Sequence, residues 1–99
     1  MNTTPSIALS GMQAAQTRLR AAAHNVANLS TDGFRRQEVQ QSARSQGGVR
    51  ADVVRSSVPG PDLVRDTVER LQAKNAFMAN LAVFKTSDTL AGALLDTRA

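Results

Sequence analysis

Cysteine, tryptophan and tyrosine are absent from this chain, and it has three phenylalanines and one histidine. Without cysteine no disulfide staples the fold, and no thiolate is there to act as a nucleophile or to bind zinc. Few aromatics mean little of the bulky packing that dominates most compact cores. Proline occurs three times, always outside the two long stretches read below as helix interiors. No run approaches the roughly 20 apolar residues of a membrane-spanning helix. The N-terminal MNTTPSIALSG lacks the basic start and apolar centre of a cleaved secretory leader. The expectation is therefore no membrane insertion, with either a cytoplasmic location or export without cleavage.

What remains is one small domain, 1–99, made mostly of helix formers. A domain of this size has a thin core and leans on association or staples. The net charge is +4, unevenly spread. Residues 35–61 hold Arg35, Arg36, Arg44, Arg50 and Arg55 against Glu38 and Asp52, whereas 62–99 is balanced.

The stretch 62–97 predicts one long helix. It has no proline and one glycine, and at 1.5 Å per residue it would run roughly 54 Å. Gly60 as N-cap, Pro61 at the first position and Asp62 facing the positive end of the dipole mark its start. Val64, Val68, Leu71, Met78, Ala82, Leu90 and Leu94 recur near the helical period, with Phe77, Leu81 and Phe84 widening the stripe. Such a face needs a partner.

The partner is expected in 4–29. Residues 1–3 should fray; Thr4 caps and Pro5 occupies the first turn. Met12, Leu19 and Val26 lie seven apart, and Ala8, Ala15, Ala22 and Leu29 form a second sevenfold series. Together they make a seam of about three heptads that alternates large and small residues. It is expected to pack on the stripe from Leu71 to Leu94. The helix ends at 28–33, where Gly33 supplies a positive φ. Asn25, Asn28, Asn75 and Asn80 lie near the stripes, and asparagine is disfavoured inside helices. Paired amides fixing the register and plain surface residues are the two readings. Residues 30–61 form a turn and a basic connector. Around Gly47-Gly48 it is either a small β-hairpin or a mobile loop. The fold class read here is mainly α: two long helices paired as an antiparallel hairpin or coiled coil.

Chemistry is sparse. His24 has no ligand companions. Ser10 lies fourteen residues away, roughly 21 Å along one helix, so the two make no nucleophile–base pair. Asp62 and Asp66 fit dipole compensation at a helix start better than acid–base catalysis. No glycine loop cradles phosphate. No catalytic, metal or cofactor site is expected. The connector arginines are a candidate nucleic-acid patch, but with only Phe34 for stacking that reading is the weakest.

Residues 7–36, IALSGMQAAQTRLRAAAHNVANLSTDGFRR, resemble the N-terminal signature of bacterial flagellar rod and hook proteins. The matching features are ALSGM, the block Asn25-Val26-Ala27-Asn28, and the turn Thr31-Asp32-Gly33-Phe34 followed by Arg35-Arg36. Residues 62–96 resemble the family's C-terminal signature through Phe77, Ala79-Asn80, Thr86-Ser87-Asp88 and Leu94-Leu95. Family members usually insert β-rich segments or whole domains between the two; here about 25 residues intervene. The resemblance implies a non-enzymatic structural subunit of the basal body. It implies partners among other rod and hook proteins and further copies of this chain. It also implies delivery by the flagellar type III export apparatus without cleavage. Met12, Leu19, Asn25, Val26, Asn28, Leu71, Phe77, Met78, Asn80, Leu90 and Leu94 are the expected pairing and interface residues, and Thr31, Gly33 and Phe34 the turn. The alternative is a small helical adaptor or regulator tied to flagellar assembly or export.

Overall fold

The computed structural model describes residues 3–98 and the side chains of 3–95. Met1, Asn2 and Ala99 lie outside the described residues; of the three residues expected to fray, only Thr3 is described, and it is an ordered helix cap. The order is α1 (Thr4–Ala27), β1 (Arg35–Ala43), β2 (Val49–Pro59) and α2 (Leu63–Arg98). The molecule is a slab of 62 × 24 × 14 Å. Its radius of gyration of 17.2 Å exceeds the roughly 13 Å of a compact 100-residue domain.

The mainly-α expectation is corrected here. The connector is an ordered antiparallel hairpin of strands 9 and 11 residues long, running from the pair Arg35↔Pro59 to Ala43↔Val49. Two strands alone are barely stable in water, and α1 supplies the missing support. The hairpin runs back along α1, with Gln37 bonded to Asn25 at one end and Val49 bonded to Ser10 at the other. Fifteen helical residues and the paired strand between those anchors both span roughly 20 Å, so the two lengths match. At the hairpin end the Ser10 hydroxyl accepts from the Val49 amide at 3.0 Å and donates to the Ile7 carbonyl at 2.7 Å. A Cβ at Gly48 would stand 2.8 Å from that hydroxyl, and its φ is +93°. Only glycine satisfies both conditions.

Both helix starts differ slightly from expectation. Thr3, not Thr4, caps α1, exchanging bonds with Ser6 in a capping box. For α2 the cap is Asp62, whose Oδ1 accepts from the Arg65 amide at 3.1 Å; Gly60 instead ends the hairpin, donating to the Phe34 carbonyl. Helix α1 ends at Ala27, two residues early, because the Asn28 side chain donates to the His24 carbonyl at 2.9 Å. Gly33 takes the expected positive φ, +69°.

The two helices are antiparallel. Asn25 meets Asp66, Arg18 meets Glu69 and Gln72, and Gly11 lies against Asn80. Every buried apolar side chain among the described residues is an alanine: Ala8, Ala14, Ala15, Ala21, Ala22 and Ala73. The sevenfold series Ala8, Ala15, Ala22 is thus the true seam, and small side chains let the backbones approach closely. A Cβ at Gly11 would come within 2.6 Å of the Asn80 amide. Met12, Leu19 and Val26 are only half-buried, and Leu71 and Leu94 are 59% and 66% exposed. The expected packing of the first series on the Leu71–Leu94 stripe is therefore not the contact within the subunit. The face of α2 that meets α1 is smaller and more polar: Asp66, Ala73 and Asn80, seven apart.

Candidate assembly surface and the polar clamp behind it

One node ties three elements together. Asn25 on α1 pairs with the backbone of Gln37 on β1 as another strand would: its amide donates to the carbonyl at 2.9 Å and its oxygen accepts from the N–H at 2.7 Å. The same Asn25 amide donates to Asp66 Oδ1 on α2 at 3.1 Å. Arg36 donates to Asp66 through Nε, at 3.1 and 3.2 Å to the two oxygens, and through Nη2. Asn25, Arg36 and Asp66 are all buried. The strand register slips between Arg35 and Gln37, and a bulge of this kind re-aims a side chain. Here Arg36 turns inward beneath the helices. Its hydrogen bond to Asp66 raises its pKa above the ordinary arginine value, against the opposing effect of burial, with Asp66, Asp62 and Glu38 adding favourable charge. Every buried polar side-chain atom among the described residues has a partner. That suits a fixed structural joint.

Around the node, Arg18 on α1 pairs with Glu69 on α2 and reaches Gln72 at 3.4 Å. The exposed Arg65 lies 3.6 Å from Glu38. The His24 ring packs on Phe34 at 5.4 Å between centroids, which holds the turn against α1. Of the four asparagines, only Asn25 bridges elements by hydrogen bonds. Asn28 caps α1, Asn80 donates to its own helix at Ala76 while lying against Gly11, and Asn75 is exposed. No amide–amide pair forms among them. By residue order alone Asp66 suits the helix dipole and Arg36 belongs to the basic connector. An acid four residues past a helix cap and an arginine just after a glycine turn are common, and neither signals the other.

The reverse side of α2 is the second feature. Val64, Leu71 and Met78 form one sevenfold series and Val68, Asn75 and Ala82 the other, interleaved by three and four. This is heptad spacing, with its seam on the side away from Asp66, Ala73 and Asn80. All six residues are exposed. Phe77, Leu81 and Phe84 are half-buried along the borders. The pattern ends where Lys85 takes the next seam position. Leu90, Leu94 and Leu95 are exposed further along.

An open groove of about 880 Å³ separates the first half of α1 from the hairpin end, with Ser10, Gln13, Thr17, Arg44 and Arg50 on its walls. Its lining has hydroxyls, amides and two arginines but no carboxylate, imidazole or thiol. Among the described residues no three potential ligands gather for a metal, and no helix is long and apolar enough to cross a membrane.

The slab thus has a locked polar joint and an alanine seam, with its large aliphatic residues facing outward. Residues 6–35 match the family model described as flagella basal body rod protein. The match covers α1 from Ser6 onward, the turn through Gly33-Phe34 and the first residue of β1. The family is structural and flagellar. No curated protein matches the chain.

Proposed function

We propose that this chain is a building block of the flagellar rod that assembles with neighbouring subunits through its helices. The observation that carries the reading is the inverted core: the buried apolar side chains are alanines, while Val64, Leu71, Met78, Leu90 and Leu94 face outward. A monomer with that distribution leaves most of its aliphatic area in water. Covering it releases about 25 cal/mol per Å². Large exposed apolar ribbons on a small domain mark protein–protein surfaces. The expected interface residues Leu71, Met78, Leu90 and Leu94 then act between subunits, whereas Asn25, Asn80 and the alanine series hold the subunit itself together. Copies of this chain and other rod and hook proteins are the partners of this reading. Delivery by the flagellar export apparatus without cleavage, and a place in the periplasm-spanning basal body, complete it.

Sedimentation at rising concentration tests the assembly, and immunodetection in purified basal bodies tests the place. Growth of mass with concentration together with recovery in the basal body supports the reading. Persistent monomer that is absent from purified basal bodies refutes it and favours the small adaptor.

A further inference from the structure

Resting on that reading, the geometry points to a particular joint: the C-terminal overhang of one copy lies on the Val64–Ala82 seam of the next. Seven steps down α1, from Asn25 to Arg18 to Gly11, are matched by about seven up α2, from Asp66 through Gln72 to Asn80. Carried one step on, Thr4, the first residue of α1, stands level with Ser87. Ser87 is half-buried, and every residue from Asp88 to Leu95 is exposed. The final eleven residues of α2 therefore project past α1 by roughly 16 Å. They present Leu90 and Leu94 one turn apart, with Leu95 beside them.

The charges select the occupant. Arg65 and Lys74 flank the seam, with Arg70 one position further out. The acids on the same helix are engaged elsewhere, Glu69 by Arg18 and Asp66 by Arg36, and Arg65 has only the distant Glu38. Seam-on-seam pairing of two copies lines the joint with basic groups and no acid, which is unfavourable. The overhang carries the opposite balance: in the sequence Asp88 and Asp96 stand against the single Arg98, and no lysine or arginine falls between the two acids that bracket the leucines. A 19-residue seam of roughly 28 Å has room for it. The leucines do not continue the seam's phase, since Lys85 and Thr89 fall where the next seam residues would. The two patches therefore lie on different sides of α2. A patch that meets a different patch makes a heterologous joint, and repetition of that joint grows a filament instead of closing a dimer.

The test uses two doubly substituted full-length chains, Leu71→Gln with Met78→Gln in the seam, and Leu90→Gln with Leu94→Gln in the overhang. Glutamine keeps helix propensity, and circular dichroism checks that helix content is unchanged. In sedimentation velocity the wild-type chain is expected to grow without a plateau, and more weakly as salt is raised. Each variant alone is expected to associate roughly 100-fold or more weakly. An equimolar mixture of the two, each supplying the surface the other lacks, is expected to form a one-to-one complex that does not extend. An overhang variant that associates like wild type, or a mixture that stays monomeric while wild type grows, overturns this joint and leaves self-assembly standing. A wild-type chain that stays monomeric at every concentration overturns both.

Discussion

Asp66→Ala removes the carboxylate that Arg36 and Asn25 both donate to. The guanidinium then stays beneath the helices, buried and unpaired. Breaking a buried pair from one side costs about 3–5 kcal/mol. A domain of about 100 residues has a total stability of about 5–15 kcal/mol, so the variant retains only part of it. At about 4 °C or more per kcal/mol for a chain of this size, the melting midpoint falls by at least about 12 °C. Urea denaturation followed by circular dichroism, run at a dilution where the chain is monomeric, measures the loss. The companion variant replaces both partners, Arg36→Met with Asp66→Leu. With no charge left to solvate, it should lie within about 2 kcal/mol of wild type or exceed it. A loss below 1 kcal/mol for Asp66→Ala refutes the assignment of the clamp as a buried joint. A double variant as damaged as the single would show that shape, not the orphaned charge, sets the cost.

Asn25→Asp should destabilise strongly, because it replaces a donor with a second carboxylate beside Asp66 and leaves the Gln37 carbonyl unpaired. Faster exchange of the Gln37 amide and a lower urea midpoint are the readouts. Gly11→Ala gains about 1 kcal/mol of helix propensity but drives a Cβ into Asn80, an overpacking cost of about 1–3 kcal/mol. Adding Asn80→Ala should recover the loss, which thermal melts will show. Thr3→Ala should cost about 1 kcal/mol through loss of the capping box, seen as fraying of the first turn in hydrogen exchange. The raised Arg36 pKa fixes the sign of one pH effect. Its contribution is fully present below the ordinary arginine range and is lost only as pH rises through the higher folded value. The penalty of Arg36→Ala should therefore be the same at pH 7 and pH 10 in urea melts.

Much of the outline was legible from residue order. Two helices, their approximate ends and the glycine turn follow from proline placement, caps and the sevenfold series. The motif around Asn25-Val26-Ala27-Asn28 and Thr31-Asp32-Gly33-Phe34 pointed to the family, and the matched segment lies there. The hairpin was undecided because its strands are polar and lack a clean alternation. Val49 and Ala51 do face partly inward, but Val53 is half-exposed. What steadies it is α1, through Ser10 and Asn25, at sequence distances of 39 and 12 residues.

The choice of faces was the other open matter. Helix α2 has two stripes at helical spacing. The larger and more apolar one, Val64 to Ala82, is the obvious candidate for burial against α1, yet the small polar line Asp66, Ala73, Asn80 takes that place. Periodicity reports that a face exists; it does not report which neighbour covers it. The sequence by itself determined the helices, the turn and the family segment, because caps, glycine geometry and local spacing act within a few residues. Only the tertiary structure decided that Arg36 and Asp66, 30 residues apart, are partners, and that alanine makes the close contact while leucine is left outside. Those outcomes depend on how closely two backbones approach and on a buried charge needing an opposite one, which no single stretch of chain encodes.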